Sequence, residues 1–450
     1  MPDTATFSDL ARLWSESLEE VREKEGVAPE GEEIKNATFL IYRAMTSRSR
    51  CYHDLSHLFS VAHNLPALAK LAAIYHDVVY FSIDGGFPPD VRERIGDVVL
   101  CLDSKIFLTT SPDEMVSEVA TIFGFTGGQE IKPKGGLNEF LSAVLAVREL
   151  GEFLSVNDLW AVAACIEATI PFRPTVDQET PIDLIGMRLR SLRRSTVFLT
   201  DEEIYDSQIL AVRVANADVQ NFGNPDLSHF IENTWHILTE TNADFHEGNS
   251  TIGTYRAALV GMETFLSELD PTVIFRQYGN TPDDETYQAL LECSRDNLHC
   301  ASEYLKAHIV ALSVLEALAE LTDGDGPIAY FIGLADSEKS LIDDFVNGAP
   351  LVTVANQPPL EAKVLRALKC KRTSVNRFDQ ALTPLAAYLY ESLGNSKIHE
   401  LVQRAKEVHA GKRDWKEFLA ALPDPMLRHV TTAISRIAVV RKNRFNESRG

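Results

Sequence analysis

His53 and His57 stand four residues apart in the run Tyr52-His53-Asp54-Leu55-Ser56-His57. On a helix that spacing puts both imidazoles on one face. A second, largely apolar run, LAKLAAIYHDVVY, carries His76 and Asp77 side by side. An ionised carboxylate in such company is costly unless a cation or a donor compensates it. Imidazole with carboxylate suits Mn, Fe, Co, Ni or Zn, whereas Mg and Ca favour all-oxygen cages. The helical pattern breaks at Asn64-Leu65-Pro66, so an ion would be pinched between two helices. Neighbours on a helix point about 100° apart, and His76 and Asp77 can share one ion only near a helix edge.

These residues need helices to hold them, and most of the chain reads as helix. Phe7, Leu10, Leu13, Trp14 and Leu18 form an amphipathic stripe over residues 7–24. Similar patterns run over 54–64, 66–80, 137–153, 156–169, 201–218, 226–241, 251–268, 283–320, 378–393 and 425–441. Strand-like runs are short: IAYFIGL at 328–334 and LVTVA at 351–355. The expected class is all-α. Three turn-rich stretches interrupt it. Residues 81–136 hold four Gly-Gly or Pro-Pro pairs around a helical piece at 112–123. Residues 270–286 contain the expected main junction at 270–282, and residues 322–359 mix Gly, Asp and Pro.

A chain of 450 residues is long enough for two to four domains. With 45% hydrophobic and 24% charged residues, a wholly disordered chain is excluded. No apolar run reaches the roughly 18 residues of a membrane span, and MPDTATFSDLARLW lacks the build of a secretory leader. Six scattered cysteines without a CxxC pair read as reduced thiols. A cytoplasmic protein is the expectation. Residues 361–450 carry 18 Lys and Arg against 9 Asp and Glu, and the first 360 carry 25 against 56. An acidic body disfavours nucleic acid. The basic tail could meet an anionic partner or dock on the protein's own acidic surface, and its spread of charges favours docking. No Walker-type or GxGxxG loop is present, which leaves phosphate binding to metal and side chains.

The Tyr52–Tyr80 region resembles the HD superfamily of metal-dependent phosphohydrolases, most closely its branch with the pattern YHxxxHI…AxxFHDxxY. The family's NExxSA segment is matched by Asn138-Glu139-Phe140-Leu141-Ser142-Ala143, and its helix ending in Ala-Thr by AVAACIEATI at 161–170. Its closing (D/N)ADL…G segment is matched by Asn216-Ala217-Asp218-Val219…Gly223. The resemblance covers residues 37–275. It implies an HD-type helical bundle at 37–275 after an amino-terminal helix at 1–36, with an insertion at 81–136. A second, mostly helical domain at 276–450 has no recognised role; it could fold over the pocket, dimerise or bind a partner.

The resemblance further implies that His57, His76, Asp77 and Asp218 ligate the metal. His53 would line the pocket, Glu139 would act as general base or orient a ligand, and Arg173, just after ATIPF, would contact phosphate through its fork. Asn216 replaces the first aspartate of the family's DADL, so Asp218 is expected to carry that bond. Between Asp77 and His229 there is no histidine, whereas branches with two or more metals carry extra ones there; one divalent transition metal is therefore expected. The implied reaction is hydrolysis of a phosphate ester, such as a nucleoside monophosphate, diphosphate or cyclic phosphate, by water whose pKa the ion lowers. Asp77 would orient or deprotonate that water, with His53 or Glu139 handling the proton. Two rivals remain: a catalytically idle metal-binding HD module serving regulation or interaction, and a di-iron oxygenase.

Overall fold

The computed structural model describes residues 6–22, 29–103, 105–192, 198–242, 244–245, 250–332, 358–370 and 377–437, with side chains at 377–382 left out. The described chain is all-α apart from one two-stranded hairpin. Among the described residues, no helix is long and apolar enough to cross a membrane.

Contacts divide the chain into two units, residues 1–223 with 270–292 and residues 224–269 with 293–450. The sequence predicts a main junction within 270–282, between a bundle ending at 275 and a domain starting at 276; the contacts group residues 224–269 with the carboxy-terminal part and residues 270–292 with the first unit. The second grouping is anchored inside the first unit. Asn216 accepts the Arg276 N–H at 2.7 Å and donates to the Arg276 carbonyl at 2.8 Å, while the Tyr278 hydroxyl donates to Gln208 at 3.0 Å.

In the first unit, α1 (Phe7–Val21) opens with a capping box between Thr6 and Asp9 and buries Leu10, Trp14 and Leu18. The Trp14 indole donates to the Tyr75 hydroxyl at 3.1 Å, which fastens α1 to α4 (Ala67–Tyr75). The helix α2 (Gly31–Met45), unremarked in the sequence, packs on α1. Residues 159–168 of α8 (Val156–Ala168) are all buried, the mark of a helix surrounded on every side. Around it stand α4, α7 (Leu137–Leu150), α9 (Pro181–Ser191) and α10 (Asp201–Asp218); α3 (Leu55–Ala62) packs on α4 and α10.

The stretch 81–136 holds a short helix, α5 (Pro89–Ile95), the hairpin β1 (Val99–Leu102) and β2 (Lys105–Leu108), and α6 (Glu114–Phe123). The strands pair from Val99↔Leu108 to Leu102↔Lys105. Four residues each are too few for an alternation to stand out. Gly124, at φ 72°, closes α6 in the left-handed region.

The second unit contains helices Leu227–Glu240, Ile252–Glu268, Pro359–Lys369, Trp415–Leu419 and Asp424–Ile437, and most of Asp284–Glu320. Gly394, at φ 73° and ψ 167°, breaks the helical backbone inside Arg377–His409, so the pattern read as ending at 393 continues past a kink. The strand-like IAYFIGL is helical over Ala329–Ile332; its last two residues, LVTVA at 351–355, residues 438–441 and His246 lie outside the described residues. Asp325 caps the helix Ile252–Glu268 by accepting from Ile252 and Gly253 N–H groups, which gives the DGDG loop a structural role. All six cysteines are free.

Candidate metal centre

His57, His76, Asp77 and Asp218 come together in the first unit, and one ligand atom from each lies within 4.8 Å of the others. This group could hold a metal ion. His57 sits in the first turn of α3, where the Asp54 carboxylate caps the helix by accepting the His57 N–H at 3.0 Å. His53 precedes that cap and is not on the helix. Its ring still lies 5.4 Å from that of His57 and packs against Tyr52 and Tyr80.

The helix α4 stops at Tyr75, so His76 and Asp77 occupy its terminal turn. His76 keeps helical dihedrals, φ -54° and ψ -35°, so the pair stands at the helix edge, where the two side chains can share one ion. Asp218 is the last residue of α10. Both carboxylates therefore stand at helix C-termini, whose partial negative charge disfavours an anion and favours a cation.

His57 Nε2 is 3.1 Å from Asp218 Oδ1 and 3.5 Å from Asp77 Oδ2; His76 Nε2 is 2.9 Å from Asp77 Oδ2 and 3.4 Å from Asp218 Oδ1. Ligands about 2.1 Å from one ion, at angles of roughly 90–110°, stand about 3.0–3.4 Å apart. The spacing fits. His76 Nδ1 meets the Ala73 carbonyl at 2.7 Å, so Nδ1 carries the proton in the neutral ring and Nε2 presents its lone pair to the centre. His76 Nε2 and Asp77 Oδ2 are buried without a hydrogen-bond partner despite their closeness. Two orphaned polar atoms aimed at one point are what a cation would satisfy.

The electrostatics follow from burial and mutual charge. Burial pulls the His57 pKa down, but Asp218 and Asp77 outweigh it and carry it to about 9. His76 is likewise held well above its usual range, by the same two carboxylates against burial. Burial pushes Asp77 and Asp218 up; the neighbouring imidazoles pull Asp77 well below the carboxylate range and Asp218 to about 2. Glu139, in the first turn of α7, is raised to about 7 by burial and by the charges of Asp77 and Asp218, with Arg173 opposing.

A second layer fixes the turn that bears His76 and Asp77. Ser142 Oγ accepts the Val79 N–H and Asn138 Oδ1 accepts the Phe81 N–H, each at 3.0 Å. These are the other polar residues of the NExxSA segment. The Arg50 guanidinium, wholly buried, donates to the carbonyls of Asp77, Val78 and His53 at 2.7, 3.2 and 3.4 Å and forks onto Asp84 at 3.0 and 2.7 Å. Nothing in the sequence marks Arg50 or Asp84, although Arg50 stands two residues before Tyr52.

Arg173 directs its fork at the buried Glu167 carboxylate, at 2.6 and 2.8 Å. The fork expected to face phosphate is thus already engaged, while Nε is buried without a partner. Asn216 points to the Arg276 main chain and is not among the four converging residues.

Because the two carboxylates raise the pKa of His57 to about 9 and that of His76 well above its usual range, uptake of a divalent ion near neutral pH should expel protons. Affinity should therefore climb with pH through the range in which His57 titrates. Calorimetry at pH 7.5 in buffers of different ionisation enthalpy reads the proton count. Uptake without proton release would remove the imidazoles from the ligand set.

A scan against family models found no match for this chain, and searches of curated proteins and of solved structures found none either.

Proposed function

We propose that the first unit is an HD-type, metal-dependent phosphohydrolase, acting in the cytoplasm on a small phosphorylated substrate such as a nucleotide. The observation that carries this reading is the convergence of His57, His76, Asp77 and Asp218 from one helix start and two helix ends. The order of the motifs along the chain supports the same assignment.

Those four residues would hold one divalent transition metal. Bound there, it would act as a Lewis acid on a phosphoryl oxygen and lower the pKa of coordinated water. Asp77, held well below its usual pKa, is a poor proton acceptor and serves as ligand and orienter. Glu139, at about 7, is poised to take a proton at its carboxylate and return it to a leaving group. His53, against Tyr52 and Tyr80, lines the approach.

Metal analysis with a panel of phosphate esters tests the reading. Turnover with one metal per chain is expected. Glu139→Gln should keep the metal while lowering kcat by roughly 10²–10⁴ and flattening the limb of the pH–rate profile near 7. One metal without turnover on a wide panel would make the unit an idle regulatory module. Two irons with oxygen consumption would make it an oxygenase.

A further inference from the structure

The loop after Tyr80 leads from the turn of His76 and Asp77 to the short helix α5. Asp84 N–H donates to the Tyr80 carbonyl at 2.9 Å and Gly86 N–H to the Phe81 carbonyl at 2.8 Å, while the Arg50 fork holds the Asp84 carboxylate. Ring contacts follow this loop. His53 lies 5.4 Å from His57 and 5.0 Å from Tyr80, and Phe81, the next residue, meets Phe87 edge-on at 5.0 Å. Where the loop enters α5, an open cavity of about 420 Å³ is lined by Phe87, Pro89, Arg92 and Glu93. Small-ligand sites occupy about 300–1,000 Å³.

The charged residues of α5 divide into two kinds. Asp90 is bound by Arg43 and Arg94 by Glu149, which fixes the helix against α2 and α7. Arg92 and Glu93 are exposed, and among the described residues neither of their charged groups makes a hydrogen bond or ion pair. The cavity thus joins an apolar wall, Phe87 with Pro89, to one unengaged cation and one unengaged anion. An anionic ligand would meet the Glu93 charge there, and a cationic one the Arg92 charge. A neutral, flat ligand with N–H donors on one edge and acceptors on the next satisfies both.

We propose that this cavity is a subsite for a nucleobase, and that the base is guanine. Every base has a face that stacks on an aromatic ring, and Phe87 supplies the ring. The pair on α5 supplies the choice. A guanidinium bonds guanine O6 and N7 in bidentate fashion, and a carboxylate accepts the parallel N1–H and N2–H groups of the adjoining edge. Arg92 and Glu93 are neighbours on one helix, as two adjoining edges of one ring require. Adenine sets a donor, N6–H, beside its N7 acceptor, and the guanidinium fork cannot use both. That a base binds rests on the cavity alone; that the base belongs to the substrate rests on the hydrolase reading above.

Equilibrium dialysis of the full chain against labelled guanosine, inosine and adenosine tests the subsite. Guanosine should bind several-fold more tightly than adenosine, and than inosine, which lacks the exocyclic amino group. Phe87→Ala should weaken guanosine at least about fivefold. Glu93→Gln should bring guanosine down to the level of inosine, and Arg92→Gln should weaken both. Arg190→Gln, at an exposed pair with Asp201, should leave binding as it was. Circular dichroism reports the fold; if Phe87→Ala loses its helices, the two exposed variants on α5 are read instead. No nucleoside bound by the unaltered chain, or equal binding by the folded variants, overturns the subsite. Adenosine ahead of guanosine overturns the choice of base. The phosphonate analogue of guanosine monophosphate, whose P–C bond resists hydrolysis, tests the link to the metal centre. In the metal-loaded chain it should bind more tightly than guanosine, and Phe87→Ala should weaken both. Equal binding of the two overturns the substrate role. Guanosine bound with no phosphate ester turned over keeps the subsite and overturns the hydrolase reading; esters turned over with no guanosine bound do the reverse.

Discussion

His76→Ala and Asp77→Asn should each strip the chain of stoichiometric metal. Loss of a group that merely supports a ligand costs about 10–100-fold in metal affinity, and loss of a ligand should exceed that. His76 is the sharper of the two, because its Nε2 is buried and unbonded while Nδ1 is committed to Ala73. Asp77→Asn keeps the volume and removes only the charge that the two imidazoles face. With the metal, turnover of phosphate esters should fall to background. His63→Ala, exposed at the end of α3, is the matched control and should bind metal as before. Elemental analysis and competition with a chelating dye measure the effect, and circular dichroism shows that the helices persist. A His76→Ala chain that still holds one ion at undiminished affinity would dismantle the four-ligand centre.

Much of this centre was legible before any coordinates. His57, His76 and Asp77 stand out because polar, titratable groups interrupt apolar helical runs, and Asp218 follows from the order of motifs. What eluded the sequence is what depends on where helices stop. The stripe through residues 66–80 continues apolar past Tyr75, so hydrophobic periodicity cannot show that α4 ends there and hands His76 and Asp77 to a turn. The four-residue spacing would set His53 and His57 on one face only if a helix spanned both; the Asp54 cap begins the helix after His53, in keeping with the pattern at 54–64.

Partners far apart in the chain were the other gap. Glu167 lies in an alanine-rich helix with nothing to mark it, yet its buried carboxylate decides what Arg173 does. Arg276 lies in a turn-rich stretch that reads as a linker, and its bonds to Asn216, with that of Tyr278 to Gln208, tie the stretch to the first unit. The short strands at 99–108 and the kink at Gly394 are likewise products of local geometry that side-chain periodicity does not encode.

The remaining large effect should come from a residue that touches no ligand atom. Arg50→Met leaves the Asp84 carboxylate, 5% exposed, without the guanidinium that pairs with it and leaves the carbonyls of His53, Asp77 and Val78 short of a donor. Breaking a buried pair by removing one partner costs about 3–5 kcal/mol. At roughly 2–4 °C per kcal/mol for a unit of this size, the apparent unfolding midpoint should fall by about 6–20 °C. Arg50→Met with Asp84→Leu removes both charges and should recover part of the loss. On the proposed reading Arg50 is also a positioning residue, since its three carbonyl acceptors belong to His53, to Asp77 of the candidate centre and to Val78 beside it. Arg50→Lys keeps the charge but cannot fork onto Asp84 while reaching the turn. In cobalt-substituted protein it should therefore shift the visible absorption of the ion and weaken its binding, even at temperatures where the fold is intact. A Lys variant with reduced stability but an unchanged cobalt spectrum and affinity would confine Arg50 to holding the fold and would leave the geometry of the centre to Asn138 and Ser142.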